Sequence, residues 1–474
     1  MSRPRVVVIG AGMGGLAAAL RLARHGYAVR VMEARPEPGG LASRFESEGL
    51  AFDAGPYVLL DRPGLEWALG CLDGTLLDSL ELRPIPEVYE VTRRGAPAVR
   101  ILSSLDETAA GLEACWPGSA RPYRRFVARM ATTHRRLQPL LRVSRPGPMH
   151  LLRGGAWRAA PFLMRPLASV FAGSGLPAPV VDALAIWTHV AGQRLEDAPS
   201  PLAFVPALIH TVGALYPAGG IGAIPRALAR AAVAAGVEFE YGTRIRALRV
   251  ENARVTGVEC GNGRITPAEA VVSNAGGVGT YLDLVRPALP AGVRRSLERL
   301  PLQSPGVCAY LAIQDDARPP YLRFFLPPGG GTCRLIVRPA VLAPEARRGG
   351  WSPARLLAPL DHAIAEGLGP SGQREHLDAL LAEEWWREGM REVRVLARRT
   401  PAEWGAEFLL HRNSMNPVMT SRFMRKGRLA HRSPWIRGLY LAGSATHPGQ
   451  WVSFCAISGI LAADRVAEDV APRA

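Results

Sequence analysis

Apolar residues along the chain follow two periods. Arg5–Ile9 is a short β-branched run of the kind a buried parallel strand carries. Leu16, Leu20 and Ala23 then recur at helical spacing, and Gly26 stands where a helix C-terminal cap belongs. A second extended run, Ala28–Met32, ends at Glu33, so the start predicts strand, helix, strand. A similar alternation returns downstream. It predicts a helix over Ile224–Ala235 closed by Gly236, and a strand over Glu238–Tyr241. The extended stretch Arg244–Leu248 follows, then a hairpin whose arms, Val255–Cys260 and Arg264–Thr266, meet at Gly261-Asn262-Gly263. Val271-Val272-Ser273-Asn274-Ala275 closes this block. Val307–Ile313, Arg334–Val337 and Val393–Leu396 read as strands, and Gln373–Met390 as a helix with a charged outer face. Near the end, a strand before Gly443 leads through a loop to a helix over Val452–Ala467.

The turn after the first strand carries the first chemical signal. Within Gly10-Ala11-Gly12-Met13-Gly14-Gly15, Gly10, Gly12 and Gly15 satisfy G-x-G-x-x-G. The first glycine makes the tight turn, the second lets backbone approach a pyrophosphate, and the third packs helix on strand. Glu33 lies about 20 residues on, where an acidic side chain accepts from a ribose hydroxyl. An acid there favours FAD or NAD over a 2′-phosphorylated nucleotide.

Composition narrows the class. The chain has 474 residues, 48% hydrophobic and 21% charged, which excludes wholesale disorder and allows two to four domains. The net charge is +16, almost all of it arginine, since Lys426 is the only lysine. With no recognition fold beside it, that charge does not argue for nucleic acid. Cys71, Cys115, Cys260, Cys308, Cys333 and Cys455 are scattered, with no CxxC pair and no Cys/His cluster. No metal site or disulfide framework is therefore expected, and a reducing, cytoplasmic compartment is. The run Val6–Ile9 is too short for a signal peptide, and no stretch is apolar enough for a spanning helix. Arg121–Arg165 holds eleven arginines and no acid, interleaved with Phe126, Met130, Leu137, Leu140, Leu141, Met149, Leu151, Leu152, Trp157, Phe162, Leu163 and Met164. That pattern predicts an interfacial helix on anionic lipid, hence a protein peripheral on the membrane.

Three segments carry a resemblance. Glu33-Ala34-Arg35 leads to Gly39-Gly40-Leu41-Ala42, then to Phe52-Asp53-Ala54-Gly55-Pro56 and Tyr57. Tyr216-Pro217-Ala218-Gly219-Gly220 opens the block that ends at Asn274-Ala275. Gly438–Gly449 contains Gly443-Ser444-Ala445-Thr446-His447-Pro448. Together they resemble the phytoene desaturase-like branch of the FAD-dependent amine oxidase superfamily. The resemblance implies an α/β fold: a Rossmann-type FAD-binding domain, glutathione reductase-like with a parallel sheet, and an inserted α+β substrate domain. The first would comprise 1–80, 215–290 and 425–474, and the second 81–214 and 291–424. It further implies that Gly39-Gly40 lies along the FAD, Gly55-Pro56 closes the site, and the backbone near Ile245 meets the adenine. Asn274-Ala275 would cover that adenine, and Gly443, Ser444 and the helix start at Val452 would face the flavin. Two departures stand out. Leu41 replaces a usual arginine, leaving its contact to Arg44 or Arg35, and Gln450-Trp451-Val452-Ser453 replaces a glycine-rich turn.

Candidate chemistry follows from that placement. His447 is the candidate proton acceptor, titrating near an unperturbed pKa of about 6.5. Trp451 is paired with it as a wall of the substrate cavity, and Tyr57 lines the site. Asn413 and Asn416 are read as a hydrogen-bonded turn or as polar substrate contacts, and Cys455 as a buried small hydrophobe. The expected function is FAD-dependent desaturation or dehydrogenation of a hydrophobic isoprenoid or carotenoid, with oxygen or a quinone as electron acceptor left open. The alternatives are an amine-oxidase-like enzyme on a soluble substrate, a redox-neutral carotenoid isomerase, and a non-catalytic prenyl-binding escort protein.

Overall fold

The computed structural model describes residues 3–471, apart from 154, 191, 286–288, 316–318 and 328–330. Five strands form a parallel sheet in the order Leu439–Leu441, Ala270–Ser273, Arg5–Ile9, Ala28–Met32, Glu238–Glu240. Val6, Val7, Val8 and Ile9 are all buried, as a strand covered on both faces requires. Helix Met13–Arg24 lies on one face and packs against the C-terminal helix Val452–Asp469. Their contact is close because both sides are bare: a Cβ on Gly459 would stand 2.2 Å from the Gly14 carbonyl oxygen. The other face carries the three-stranded sheet Ile245–Glu251, Arg254–Cys260, Ile265–Pro267, whose Ile245, Leu248 and Val258 share a core with Val7 and Ile9.

A second, seven-stranded sheet runs Met390–Arg399, Val307–Asp315, Ser352–Ala358, Arg334–Val337, Leu322–Leu326, Glu87–Arg93, Val99–Leu102. It is mixed: Leu322–Leu326 pairs in parallel with Glu87–Arg93, and the other neighbours are antiparallel. Its strands come from both sides of the middle block, so residues near 90 and near 330 fold together. The parallel sheet with its flanking helices and this separate mixed sheet give the α/β architecture expected.

Two expectations change. The helix expected over Gln373–Met390 begins earlier, at His362, breaks at Gly369 and Pro370, and stops at Ala382. Met390 already belongs to an edge strand. The long arginine-rich segment is not one interfacial helix. Its first part, Ala120–Leu137, buries Tyr123, Phe126, Val127 and Met130 in the core beside helix Phe204–Thr211. Only the tip beyond it presents large apolar side chains to solvent: Met149, Leu152, Trp157 and Met164 are each more than half exposed. No described helix is long and apolar enough to cross a membrane.

Candidate flavin site

The glycine-rich loop is shaped by what cannot be added to it. Gly10 has φ 89°, a left-handed value that glycine accommodates without strain, and its N–H donates to the Met32 carbonyl at 2.8 Å. A Cβ on Gly15 would stand 2.0 Å from the Gly10 oxygen, so strand and helix meet at van der Waals limits. The helix begins at Met13 with neither a capping side chain nor an acid in its first turn. Its leading N–H groups and positive dipole end are thus free for an anion.

Three loops close on this helix start. Gly39 bridges Gly12, and the Gly39 N–H donates to the Ala11 carbonyl at 2.8 Å. Asn274 follows the neighbouring parallel strand, and its amide lies where a Cβ on Gly12, Gly14 or Gly443 would intrude, at 2.5–2.7 Å. Gly443 follows the strand beyond that, with φ 94°. Gly10–Gly15, Gly39-Gly40, Asn274 and Gly443 therefore converge from four separate parts of the chain. Gly55 packs against this group through Leu41, whose carbonyl oxygen would be 2.4 Å from a Cβ there. Leu41 and Ala42 belong to the short helical turn after Gly39, and Ala42 is buried.

Glu33 is buried at the end of the second strand and accepts from the Ala11 N–H at 2.6 Å and the Arg35 N–H at 2.8 Å. The backbone of Ala34 lies between those contacts, while Thr243, two residues before Ile245, donates to the Glu33 carbonyl. Arg35 donates to the Ser43 hydroxyl and the Gly40 carbonyl and lies 4.5 Å from the Phe408 ring centre. Arg44 instead donates to Gly219 at 2.7 Å. Arg35 is thus the guanidinium beside the second glycine pair, and Arg44 fastens the Tyr216–Gly220 block. Pro56 follows Gly55, and the Tyr57 carbonyl accepts from the Tyr321 hydroxyl.

The C-terminal loop is held by a network that local sequence did not announce. The Gly443 N–H donates to the Ser458 hydroxyl, which bonds the Thr446 hydroxyl at 2.6 Å and the His431 ring at 3.3 Å. His431 also bonds the Ser144 hydroxyl at 2.8 Å. The Ser444 hydroxyl donates to Asn416, whose amide donates on to Gln450. Asn416 therefore braces the flavin loop, while Asn413 sits at the left-handed end of a short turn. Arg428 donates to the Ser444 carbonyl, and burial lowers its pKa to about 10. Cys455, expected to be buried, is only partly so, and desolvation pushes its thiol up to about 12, so it stays protonated. His447 donates its Nε2–H to the Leu140 carbonyl at 2.8 Å. Burial pushes His447 down to about 4, and burial together with neighbouring His447 does the same to His431. Both imidazoles are thus neutral near pH 7. Trp451 caps the C-terminal helix just before Val452 and stacks on Phe454 at 4.9 Å. Ala275 lines a shallow cleft with Ala445 and Asn416. No described group of His, Cys, Asp and Glu is placed to hold a metal ion.

The cradle fits a dinucleotide. An uncapped helix end, a bare glycine backbone leading into it, and a carboxylate beside Ala11 suit a pyrophosphate joined to a ribose. The family of NAD(P)-binding Rossmann-like domains matches residues 8–67, and that of flavin containing amine oxidoreductases matches 153–316. A zeta-carotene-forming phytoene desaturase of Myxococcus xanthus is 28% identical over 98% of this chain and 93% of its own. A chloroplastic prolycopene isomerase of an Oncidium hybrid is 26% identical over 98% of this chain and 84% of its own.

These matches support a carotenoid desaturase-like branch of the flavin amine oxidase superfamily for this chain.

As a member of that branch it is a flavin-dependent oxidoreductase. Among solved structures, an oxidoreductase of Methanosarcina mazei shares the fold at TM-score 0.68 and 18% identity, over 96% of this chain and 99% of its own.

Proposed function

We propose that this protein is an FAD-dependent enzyme that dehydrogenates an apolar isoprenoid or carotenoid chain. The observation that carries the reading is the meeting of Gly10–Gly15, Gly39-Gly40 and Gly443 around Asn274 in a chain similar along its whole length to a phytoene desaturase. Glu33 at the end of the second strand supports an adenosine ribose there, hence FAD. Bound there, FAD would supply the electron sink for removing hydrogen from unactivated carbon. The chain's own residues do the rest. The N–H groups at Met13–Gly15 hold the pyrophosphate, Asn274 packs against Gly12, Gly14 and Gly443 to fix the loop that presents them, and the start of helix Val452–Asp469 places positive dipole toward the ring. His447 and Trp451 lie beside that helix start. His447 acts as a neutral imidazole whose Nε2–H secures the loop to Leu140, so Nδ1 is its remaining proton acceptor. The flavin-binding part comprises 1–80, 215–290 and 425–474, and the mixed sheet of 81–214 and 291–424 forms the substrate side. We assign the exposed tip with Met149, Leu152, Trp157 and Met164, flanked by exposed Arg145, Arg158 and Arg165, to contact with an anionic bilayer. A lipid surface is where an apolar substrate of this class is stored.

Purification with an absorbance spectrum tests cofactor and class together. The expected result is a flavin spectrum that bleaches on anaerobic addition of a polyene such as phytoene. Conversion of a cis polyene to its trans isomer without net bleaching would favour the isomerase reading, which the similarity to a prolycopene isomerase keeps in view. A protein with no flavin, or one whose flavin no polyene alters, would overturn the proposal.

A further inference from the structure

A carboxylate from the substrate side reaches the second glycine pair. Glu407 lies near the end of helix Pro401–Phe408, which follows the edge strand Met390–Arg399 of the mixed sheet. It bridges two guanidinium groups: Arg399 Nη2 is 2.7 Å from one carboxylate oxygen, and Arg35 Nη2 is 3.3 Å from the other. The side chains of Arg35 and Arg399 are only 14% and 13% exposed, so water and salt screen this cluster less than a surface pair. Arg399 is boxed by the rings of Phe45, Trp404, Tyr310 and Phe408 at 4.6–5.8 Å, and its Nη1 donates to the Tyr310 hydroxyl at 3.2 Å. The helix that carries Glu407 is fixed at both ends, by a Thr400–Glu403 capping box and by Leu409 in a left-handed turn. Glu407 thus rests on a rigid support, and Arg35 is the side chain it orients. Glu37 stands further from Arg35, at 3.9 Å, and is itself half exposed. The Arg35 Nη1 donates to the Ser43 hydroxyl at 2.9 Å and to the Gly40 carbonyl at 3.4 Å. Gly40 abuts the first glycine turn, since a Cβ on it would stand 3.3 Å from the Gly12 Cα. One line of contacts therefore runs from the mixed sheet through Arg399, Glu407, Arg35 and Gly40 to Gly12.

Resting on the reading of the protein as an FAD enzyme, we propose that Glu407 is a positioning residue for the dinucleotide and acts through Arg35. It holds the Arg35 guanidinium against Gly40, so that a fixed cation stands beside the turn where the pyrophosphate binds. Leu41 brings no charge to the second glycine pair, which leaves Arg35 to supply it. A free arginine side chain loses rotamer freedom when it meets an anion, whereas one already held does not. One carboxylate shared by two guanidinium groups leaves the cluster net positive, so it fixes the geometry of Arg35 without cancelling the attraction to phosphate. The substrate side thereby completes the cofactor site: residue 407 sets the geometry of residue 35.

The test uses the full chain stripped of flavin and measures the binding of FAD, ADP and adenosine by calorimetry. ADP and adenosine differ only in the pyrophosphate. The native protein should bind ADP at least about tenfold more tightly than adenosine. Glu407→Gln keeps the shape of the side chain and removes its charge. It should lower ADP and FAD affinity about tenfold and change adenosine affinity less than about twofold. In an Arg35→Gln chain the same substitution should have no further effect. Should Glu407→Gln fail to fold, Glu407→Asp, which withdraws the carboxylate by one carbon, carries the same test with an ADP-specific loss of about threefold or more. Equal native affinity for ADP and adenosine overturns the inference. So does an equal loss for both probes, which would mean general damage to the fold, or a loss that persists in the Arg35→Gln chain. Tighter ADP binding in Glu407→Gln overturns it too, since Glu407 would then compete with phosphate for Arg35. The two levels fail differently: a native chain that binds neither FAD nor ADP retires the cofactor reading, whereas one that binds both, indifferent to residue 407, retires the role of Glu407 alone.

Discussion

At Gly12 the difference between glycine and any other residue is a single carbon placed 2.5 Å from the Asn274 amide. Gly12→Val should therefore give a protein that purifies with little or no flavin, measured by the ratio of visible to ultraviolet absorbance. Stoichiometric flavin in that variant would mean the pyrophosphate lies elsewhere. His447 makes the opposite case, since its surroundings and not its size decide its role. With a pKa near 4 it does not titrate between about pH 5.5 and 8, so the rate should stay flat there and not rise through 6.5 as a free imidazole would dictate. A rate that climbs with a midpoint near 6.5 and loses that feature in His447→Ala would place a working base there after all. The depressed values also bear on stability. An unfolded chain takes up protons on His431 and His447 below about pH 6.5, whereas the folded chain does so only near 4, so stability falls as pH drops through that window. For buried His431 the loss is on the order of 3 kcal/mol, and urea unfolding at the two ends of the window should reveal it.

Between elements, the tightest constraint is the crossing of helices Met13–Arg24 and Val452–Asp469 at Gly14 and Gly459. A Cβ at 2.2 Å from a backbone oxygen cannot be absorbed by a rotamer change. Gly459→Val should cost about 1–3 kcal/mol in chemical denaturation and weaken flavin retention as the first helix shifts. The glycine loop itself was readable before the fold was known, because each of its glycines answers a local demand: a turn, a close approach, a packed helix start. The strand runs at Val6–Ile9 and Val271–Ser273 were readable for the same reason. The helix expected from Gln373 begins just after the break at Gly369 and Pro370, with a further helical stretch from His362 before that break, and it stops at Ala382 short of Met390. Glu407, His431, Ser144 and Ser458 were not legible as partners of anything. Each acquires its meaning from a chain segment tens to hundreds of residues away. In Ala120–Leu137 the apolar stripe was visible, but not whether protein or lipid would cover it.

On the scale of the whole molecule the arginine excess divides into two populations. Many guanidinium groups are paired on the surface, as in Arg30 with Glu238 or Arg412 with Glu366, and contribute little individually. Arg145, Arg158 and Arg165 of the tip are exposed, have no acid within 121–165, and flank the exposed Met149, Leu152, Trp157 and Met164. Burying such a side chain in lipid is worth about 1.5–3 kcal/mol. Replacing Leu152 and Trp157 with serine should therefore reduce binding to anionic vesicles more than tenfold, in a flotation assay, while the flavin spectrum stays unchanged. Binding that ignores both the substitutions and the lipid charge would place the contact on another face. The same tip begins where Leu140 and Ser144 grip the histidines of the flavin loop. A surface that orders the tip and a dinucleotide that orders the loop thus act on one short piece of chain, and linkage makes their influence mutual. The factor by which vesicles tighten flavin must equal the factor by which flavin tightens vesicle binding. On the proposed membrane contact, such a coupling would make the bilayer an effector of flavin binding as well as a source of substrate.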